Sequence, residues 1–277
     1  MNRTLQIWAL QTNPAYLAPS QNCRQLGVQL HNKLQDAEAP DLVVLPELFA
    51  TGYFFNSRED LAKVAEPLGE GRVFDWLRTM AADLGTAFVA GYPERSGKQY
   101  YNSAVIVHPD GAITNYRKTH LYYKEKLYFT PGDSGFVVTD IQTREGLSYR
   151  LGVMVCFDWY FPESARTLAL EGADVIAHPS NLVRPNCPQA MPIRALENHV
   201  FTVTANRIGA ETAHNETLRF IGQSLICSPT GQVLASAPAD EPAMINAAIN
   251  PHESRDRQLT AHNHLFGDRR TEHYAFS

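Results

Sequence analysis

RLGVMVCFDWYFPESARTLALEGADVIAHPSN (150–181) is the stretch on which the reading of this chain turns. Residues 150–156 form a short apolar run that reads as a strand ending at Cys156. Residues 161–173 follow as a helix with Pro162 in its first turn, and residues 174–180 return to a strand. A cysteine at such a strand-to-helix turn is held out of the sheet, with neighbouring backbone N–H groups free to meet an anion. A free cysteine is more often a buried structural thiol, and that second reading stands beside the first.

Working outward, residues 136–156 read as a hairpin. Residues 86–94 and 101–118 are strands, the latter folded at Pro109-Asp110-Gly111. Residues 71–85 are a helix stopped by Gly85, and 41–47 are a short strand buried on both faces. A helix over 19–38, with Leu26, Leu30 and Leu34 on one face, follows a first strand at 5–12. Downstream, 188–199 is a helix, and 200–207, 224–229, 232–237 and 243–249 are strands. Hairpins mixed with strand–helix alternation predict an α/β fold with mixed sheets and outer helices, not a purely parallel sheet. With no repeat or linker in view, one domain over 1–277 is expected, its polar segment 250–277 packing on the body or on a partner.

Composition narrows the function. With 44% hydrophobic and 19% charged residues, the chain is a compact globule, not a disordered or collagen-like one. A net charge of -5 without a basic run argues against nucleic acid. No apolar stretch approaches the ~20 residues of a membrane span, and the N-terminus reads as a strand, not a signal peptide. Cysteines 23, 156, 187 and 227 form no CxxC pair, which suggests reduced thiols and a cytoplasmic protein.

Three charged residues accompany Cys156 at places where strands hand over to loops. Glu47 ends a buried strand, Lys118 ends 101–118, and Glu125 follows seven residues later. Singly, Glu47 reads as a surface carboxylate, Lys118 as a surface lysine and Glu125 as one charge in a mixed loop. Together they supply what a cysteine nucleophile needs: a base for a thiol of pKa ~8.5 and a cation for the developing anions.

LVVLPELFATGY around Glu47, YRKTHLYYKEKLYFTPGD around Lys118 and the stretch around Cys156 resemble the three signatures of the nitrilase superfamily of carbon–nitrogen hydrolases, in that family's order. IRALENHVF (193–201), SLICSPTGQVL (224–234) and DRRTEHY (268–274) are similar to further family segments. The stretch around Cys156 is especially similar to small thermophile nitrilases, and amidases and N-carbamoyl-amine hydrolases share much of it. The resemblance implies a four-layer αββα sandwich, Cys156 as nucleophile, Glu47 as general base, Lys118 as stabiliser of the tetrahedral intermediate, and Glu125 as a second carboxylate. It implies a small amide or nitrile substrate, no cofactor or metal, and a homodimer or larger assembly built through the helix after the nucleophile. Tyr53, Tyr123, Phe157, Trp159 and Asn181 are the expected pocket residues, and Arg184 is an isolated candidate for a substrate carboxylate.

Competing readings are weaker. Gly132-Asp133-Ser134-Gly135 imitates a serine nucleophile loop but is ordinary turn chemistry. His262-Asn263-His264 suggests a metal site but lies in the polar tail, where solvated histidines are the simpler reading. A binding protein that kept the fold and lost the activity is the non-enzyme alternative.

Overall fold

The computed structural model describes residues 4–275. The first half of the chain builds one layer pair. β1 (Leu5–Gln11), β2 (Leu42–Val44) and β3 (Ala87–Ser96) run parallel at the centre of a six-stranded sheet. Two helices follow β1 and β2 in sequence: α1 (Pro19–Lys33) and, after the short α2 (Arg58–Val64), α3 (Arg72–Leu84). β4 (Gln99–Val107) and β5 (Ile113–Arg117) extend the sheet antiparallel beyond β3.

The second half repeats the plan. β6 (Val137–Gln142) pairs antiparallel with β7 (Ser148–Val153), and α4 (Pro162–Leu170) leads to β8 (Val175–Pro179), parallel to β7. α5 (Asn186–Asn198) leads to β9 (Phe201–Ala205), parallel to β8. A hairpin, β10 (Ala210–Ala213) and β11 (Glu216–Arg219), stands apart from both large sheets. β12 (Leu225–Cys227) and β13 (Val233–Ser236) complete the second sheet, in order β13-β12-β9-β8-β7-β6. β14 (Ala243–Ile249) crosses back to pair with β1, so the first sheet reads β14-β1-β2-β3-β4-β5.

Side-chain alternation explains the layers. In β1 to β3, Ile7, Ala9, Leu42, Val44, Ala87 and Val89 enter the core shared with the second sheet. Their neighbours Trp8, Leu10, Val43, Phe88 and Ala90 pack with Leu26 and Leu30 of α1 and Phe74 and Leu77 of α3. Gly152 lies against Leu168 of α4, which turns Leu151 and Val153 toward the first sheet. A parallel bridge from Thr12 to Arg207 ties the ends of β1 and β9, so the C-terminal ends of both parallel trios open at one end. The result is the expected αββα sandwich.

Several boundaries differ from the sequence reading. α1 stops at Lys33, short of residue 38, and the strand before Cys156 leaves the ladder at Val153. α2 and the β10–β11 hairpin are missed by periodicity because each is too short to show a repeat; the Ser57 cap, accepting from Asp60 N at 3.1 Å, with Glu59 and Asp60 in the first turn and Lys63 in the last, is the local signal for α2. The polar segment from 250 onward, for which the sequence reading gave no element, carries a small hairpin of β15 (Gln258–Thr260) and β16 (Asn263–His264). Arg255 grips Asp174 at 2.9 and 2.7 Å, and Arg166 and Arg257 lie over the Phe266 ring. The last two residues lie outside the described ones. No helix among the described residues is long and apolar enough to cross a membrane.

Candidate active site

Glu47, Lys118, Glu125 and Cys156 come together at the open end of the sandwich. The bland reading of surface charges is overturned: Glu47 and Lys118 are each 1% exposed, and Glu125 is 5%. Lys118 Nζ donates to Glu47 Oε1 at 2.7 Å and to Glu125 Oε1 at 2.8 Å. Buried charges persist only when paired in this way.

Each member is held from several sides. Glu47 Oε1 also accepts from Asn102 Nδ2 at 2.7 Å, while Glu47 Oε2 is buried without a partner. Gly91 of β3 lets the Glu47 backbone approach; a Cβ there would lie 2.5 Å from Glu47 Cα. Gly132 does the same for the lysine, its N–H donating to Lys118 O at 2.8 Å and a Cβ meeting Arg117 O at 2.0 Å. The serine-loop imitation is thus a turn seated on the Lys118 backbone. Glu125 accepts from Tyr53 OH at 2.6 Å and, through Oε2, from Tyr122 N at 3.2 Å.

Cys156 opens a single 3-10 turn, Cys156–Tyr160, with φ of 42°. That left-handed conformation costs a non-glycine residue on the order of 1–3 kcal/mol and must be enforced by its surroundings. Asp158, fully buried, enforces it: Oδ2 accepts from Val155 N at 2.8 Å and Tyr116 OH at 2.7 Å, and Oδ1 accepts from His120 N at 3.1 Å. On the other side, His178 Nε2 lies 2.9 Å from Cys156 O. Burial lowers the His178 pKa to about 4, so the ring is neutral and donates to that carbonyl. Phe157 N–H, at the start of the turn, is not used by the turn's own ladder.

The electrostatics follow from burial. Loss of water pushes Glu47 up to about 7, with Glu125 adding to the rise and Lys118 and Asn102 opposing it. Burial by itself lowers Lys118, but Glu125 and Glu47 outweigh it and hold the amine charged well above its ordinary value. Burial, and then Glu47, push the Cys156 thiol well up, against Lys118 and a hydrogen bond from the Asn181 backbone. The resting group is a thiol, with a carboxylate of near-neutral pKa beside it.

Cys156 lies in the wall of a cleft of about 1010 Å³ that also includes Phe157, Trp159 and Asn181. Asn181 Nδ2 donates to Glu47 O at 2.9 Å and so joins the two sheets beneath the site. Tyr53 and Tyr123 do not line this cleft. Tyr53 is buried behind Glu125, and Tyr123 turns outward to Glu216 Oε2 at 2.6 Å. Sequence reading missed Tyr122, a lining residue, and the supports Asn102, Asp158 and His178. It also missed Glu211 of β10, which accepts from Tyr53 N and Phe54 N at 2.9 and 2.7 Å and is paired with buried Arg207. A polar residue inside an apolar strand run, as at Asn102 and His178, is the signal that could have found two of them. In the tail, His264 Nδ1 accepts from Gly267 N at 2.9 Å, and no metal-holding group of three His, Cys, Asp or Glu occurs among the described residues.

The carbon–nitrogen hydrolase family model matches residues 9–258. The chain belongs to the carbon–nitrogen hydrolase family. This carbon–nitrogen hydrolase is 48% identical over 270 residues to a nitrilase of Pyrococcus abyssi, covering 98% of this chain and 99% of that one. It is 31% identical to an N-carbamoylputrescine amidase of Arabidopsis thaliana, over 86% of this chain and 84% of that one. Among solved structures it superposes on a carbon-nitrogen hydrolase from Helicobacter pylori G27 with a TM-score of 0.85 at 28% identity, covering 98% and 97% of the two chains. An amidase from Nesterenkonia sp. gives 0.73 at 26% identity, covering 93% and 95%. It is therefore a nitrilase-superfamily hydrolase, with the fold and reaction class its sequence signatures imply.

Proposed function

We propose that this hydrolase converts a small non-peptide amide or nitrile to a carboxylate and ammonia through a thioester on Cys156. The observation that carries the reading is the buried Lys118 bridge between Glu47 and Glu125, placed beside a cysteine in the wall of an open cleft. Glu47 takes the thiol proton as sulfur attacks the carbonyl carbon. The electron pair of the C=O bond moves onto oxygen, where Lys118 Nζ and Phe157 N–H hold the charge. Glu47 returns the proton to nitrogen, the C–N bond breaks and ammonia leaves. Water then attacks the thioester, Glu47 again accepting its proton, and the carboxylate departs as the thiol reforms. A nitrile enters the same cycle when the thiol adds across its C≡N bond to give a thioimidate and one further water adds to that, forming the tetrahedral intermediate that loses ammonia to the thioester.

Ammonia release from matched nitriles, amides and N-carbamoyl amines tests the reading, with wild type and Cys156→Ala side by side. The expected result is turnover of at least one class, a loss of about 10³-fold or more in the variant, and an acyl adduct on wild-type Cys156 by mass spectrometry. Turnover surviving in Cys156→Ala would overturn it. The relatives' names make N-carbamoyl amines the second class to try.

We also propose that two copies associate through the face beside the cleft. Tyr160, Leu170 of α4, and Ile193 and Leu196 of α5 are large apolar side chains left exposed on a turn and two helices that pack against one another, and exposed apolar surface of this kind marks interaction sites. Light scattering is expected to give twice the chain mass, and Ile193→Asp to return it to that of one chain.

A further inference from the structure

We propose that Arg184 selects amides or nitriles whose acyl tail ends in a carboxylate, an inference that rests on the hydrolase function proposed above. The cleft that reaches Cys156 is walled by Phe157, Trp159, Tyr160, Leu182 and Val183, which suit a hydrocarbon chain. Among the described residues, two cations, Arg184 and Arg194, line it, and no aspartate or glutamate does.

The two arginines differ. Arg194 is already engaged, with Nη1 on Glu197 Oε1 at 2.8 Å and Nε on Trp159 O at 3.2 Å. Arg184 is exposed at the cleft, against the Tyr122 hydroxyl, and has no ion pair among the described residues. The positive charge of Lys118 is matched by Glu47 and Glu125, so Arg184 is the unmatched charge facing a tail that leaves the reacting carbon.

Its distance from the chemistry is set by the chain. Arg184 lies three positions beyond Asn181, whose backbone hydrogen bonds Cys156, and three extended residues span at most ~10 Å. The connecting segment is fixed: Leu182 N donates to Asn206 Oδ1 at 2.8 Å, and Ile221 N donates to Leu182 O at 3.0 Å. An apolar passage ending in one planar guanidinium is complementary to a carboxylate, which it can hold through two parallel hydrogen bonds. It repels an ammonium tail of the same length.

The test compares kcat/KM for glutaramate, hexanamide and 5-aminopentanamide in wild type, Arg184→Ala, Arg184→Lys and Arg184→Glu. Wild type is expected to favour glutaramate over hexanamide by about tenfold or more, chiefly through KM, with the preference shrinking as salt is raised. The ratio is expected to fall toward one in Arg184→Ala, to be partly kept in Arg184→Lys, and to turn toward 5-aminopentanamide in Arg184→Glu. Wild type treating glutaramate and hexanamide alike, or a ratio unmoved in Arg184→Ala, overturns the inference while leaving the hydrolase reading intact. If no amide or nitrile of any charge is turned over and Cys156 takes no adduct, the hydrolase reading fails and the inference falls with it.

Discussion

Glu47→Gln is expected to lower kcat/KM by about 10²–10⁴-fold and to remove its dependence on pH near neutrality. Glutamine keeps an oxygen where Asn102 and Lys118 donate, so the fold is expected to hold, with an unchanged circular dichroism spectrum. What it loses is the ability to take a proton. Burial first, then Glu125, raise Glu47 to about 7 against the pull of Lys118 and Asn102. A base works only when deprotonated, so wild-type kcat/KM rises as pH increases through about 7 and is lost as pH falls through it. A steady-state profile from pH 5 to 9 on both proteins checks this. A variant that retained the same rising limb would assign it to another group and remove Glu47 from the proton path.

Lys118→Met is expected to have the largest effect on stability. The amine sits between two buried carboxylates at 2.7 and 2.8 Å, and methionine matches its length without its charge. Removing one member of a buried ion network strands the others, at a cost of about 3–5 kcal/mol. The sign with pH is definite. Without the cation, which opposes the rise caused by burial, Glu47 ionises in the folded state only at a pH well above its unfolded value of ~4.3. An acid whose folded pKa is raised costs nothing below the unfolded value, and its penalty grows as pH climbs toward the folded one. The gap in unfolding free energy between variant and wild type is therefore expected to be wider at pH 8 than at pH 5, as urea titrations at both pH values would show. An equal gap would mean that the loss comes from packing and not from stranded charge. Turnover is expected to fall about 10²–10³-fold at either pH, since the intermediate loses its cation.

Much of this was readable along the chain because it is local. Val43 and Val44 sit in an unbroken apolar run, and a strand buried on both faces is what such a run makes. Gly85 ends α3 at φ of 60°, as a glycine after a periodic helix predicts. The turn at Cys156 shows itself in an apolar strand that stops at a cysteine and resumes as a helix opened by proline. Short elements without a repeat, such as α2 and the β10–β11 hairpin, left no comparable trace.

The pocket residues divide along the same line. Phe157 and Trp159 sit in the short turn opened by Cys156 after β7, Asn181 lies just beyond β8, and all three line the cleft. Tyr53 and Tyr123 lie on loops whose direction depends on distant partners: Glu211 fixes the first by accepting from its backbone N–H, and Glu216 draws the second outward.

By itself, the sequence determined the alternation of strands and helices, the two-faced burial of the central strands, the Glu, Lys, Cys order and the reaction class. Only the tertiary structure decided that a lysine donates at 2.7 Å to a glutamate oxygen 71 positions away, with both out of water. The physical reason is range. Strand and turn preferences act over a few residues, whereas the cost of burying a charge is set by partners that the packing of two sheets brings from far along the chain.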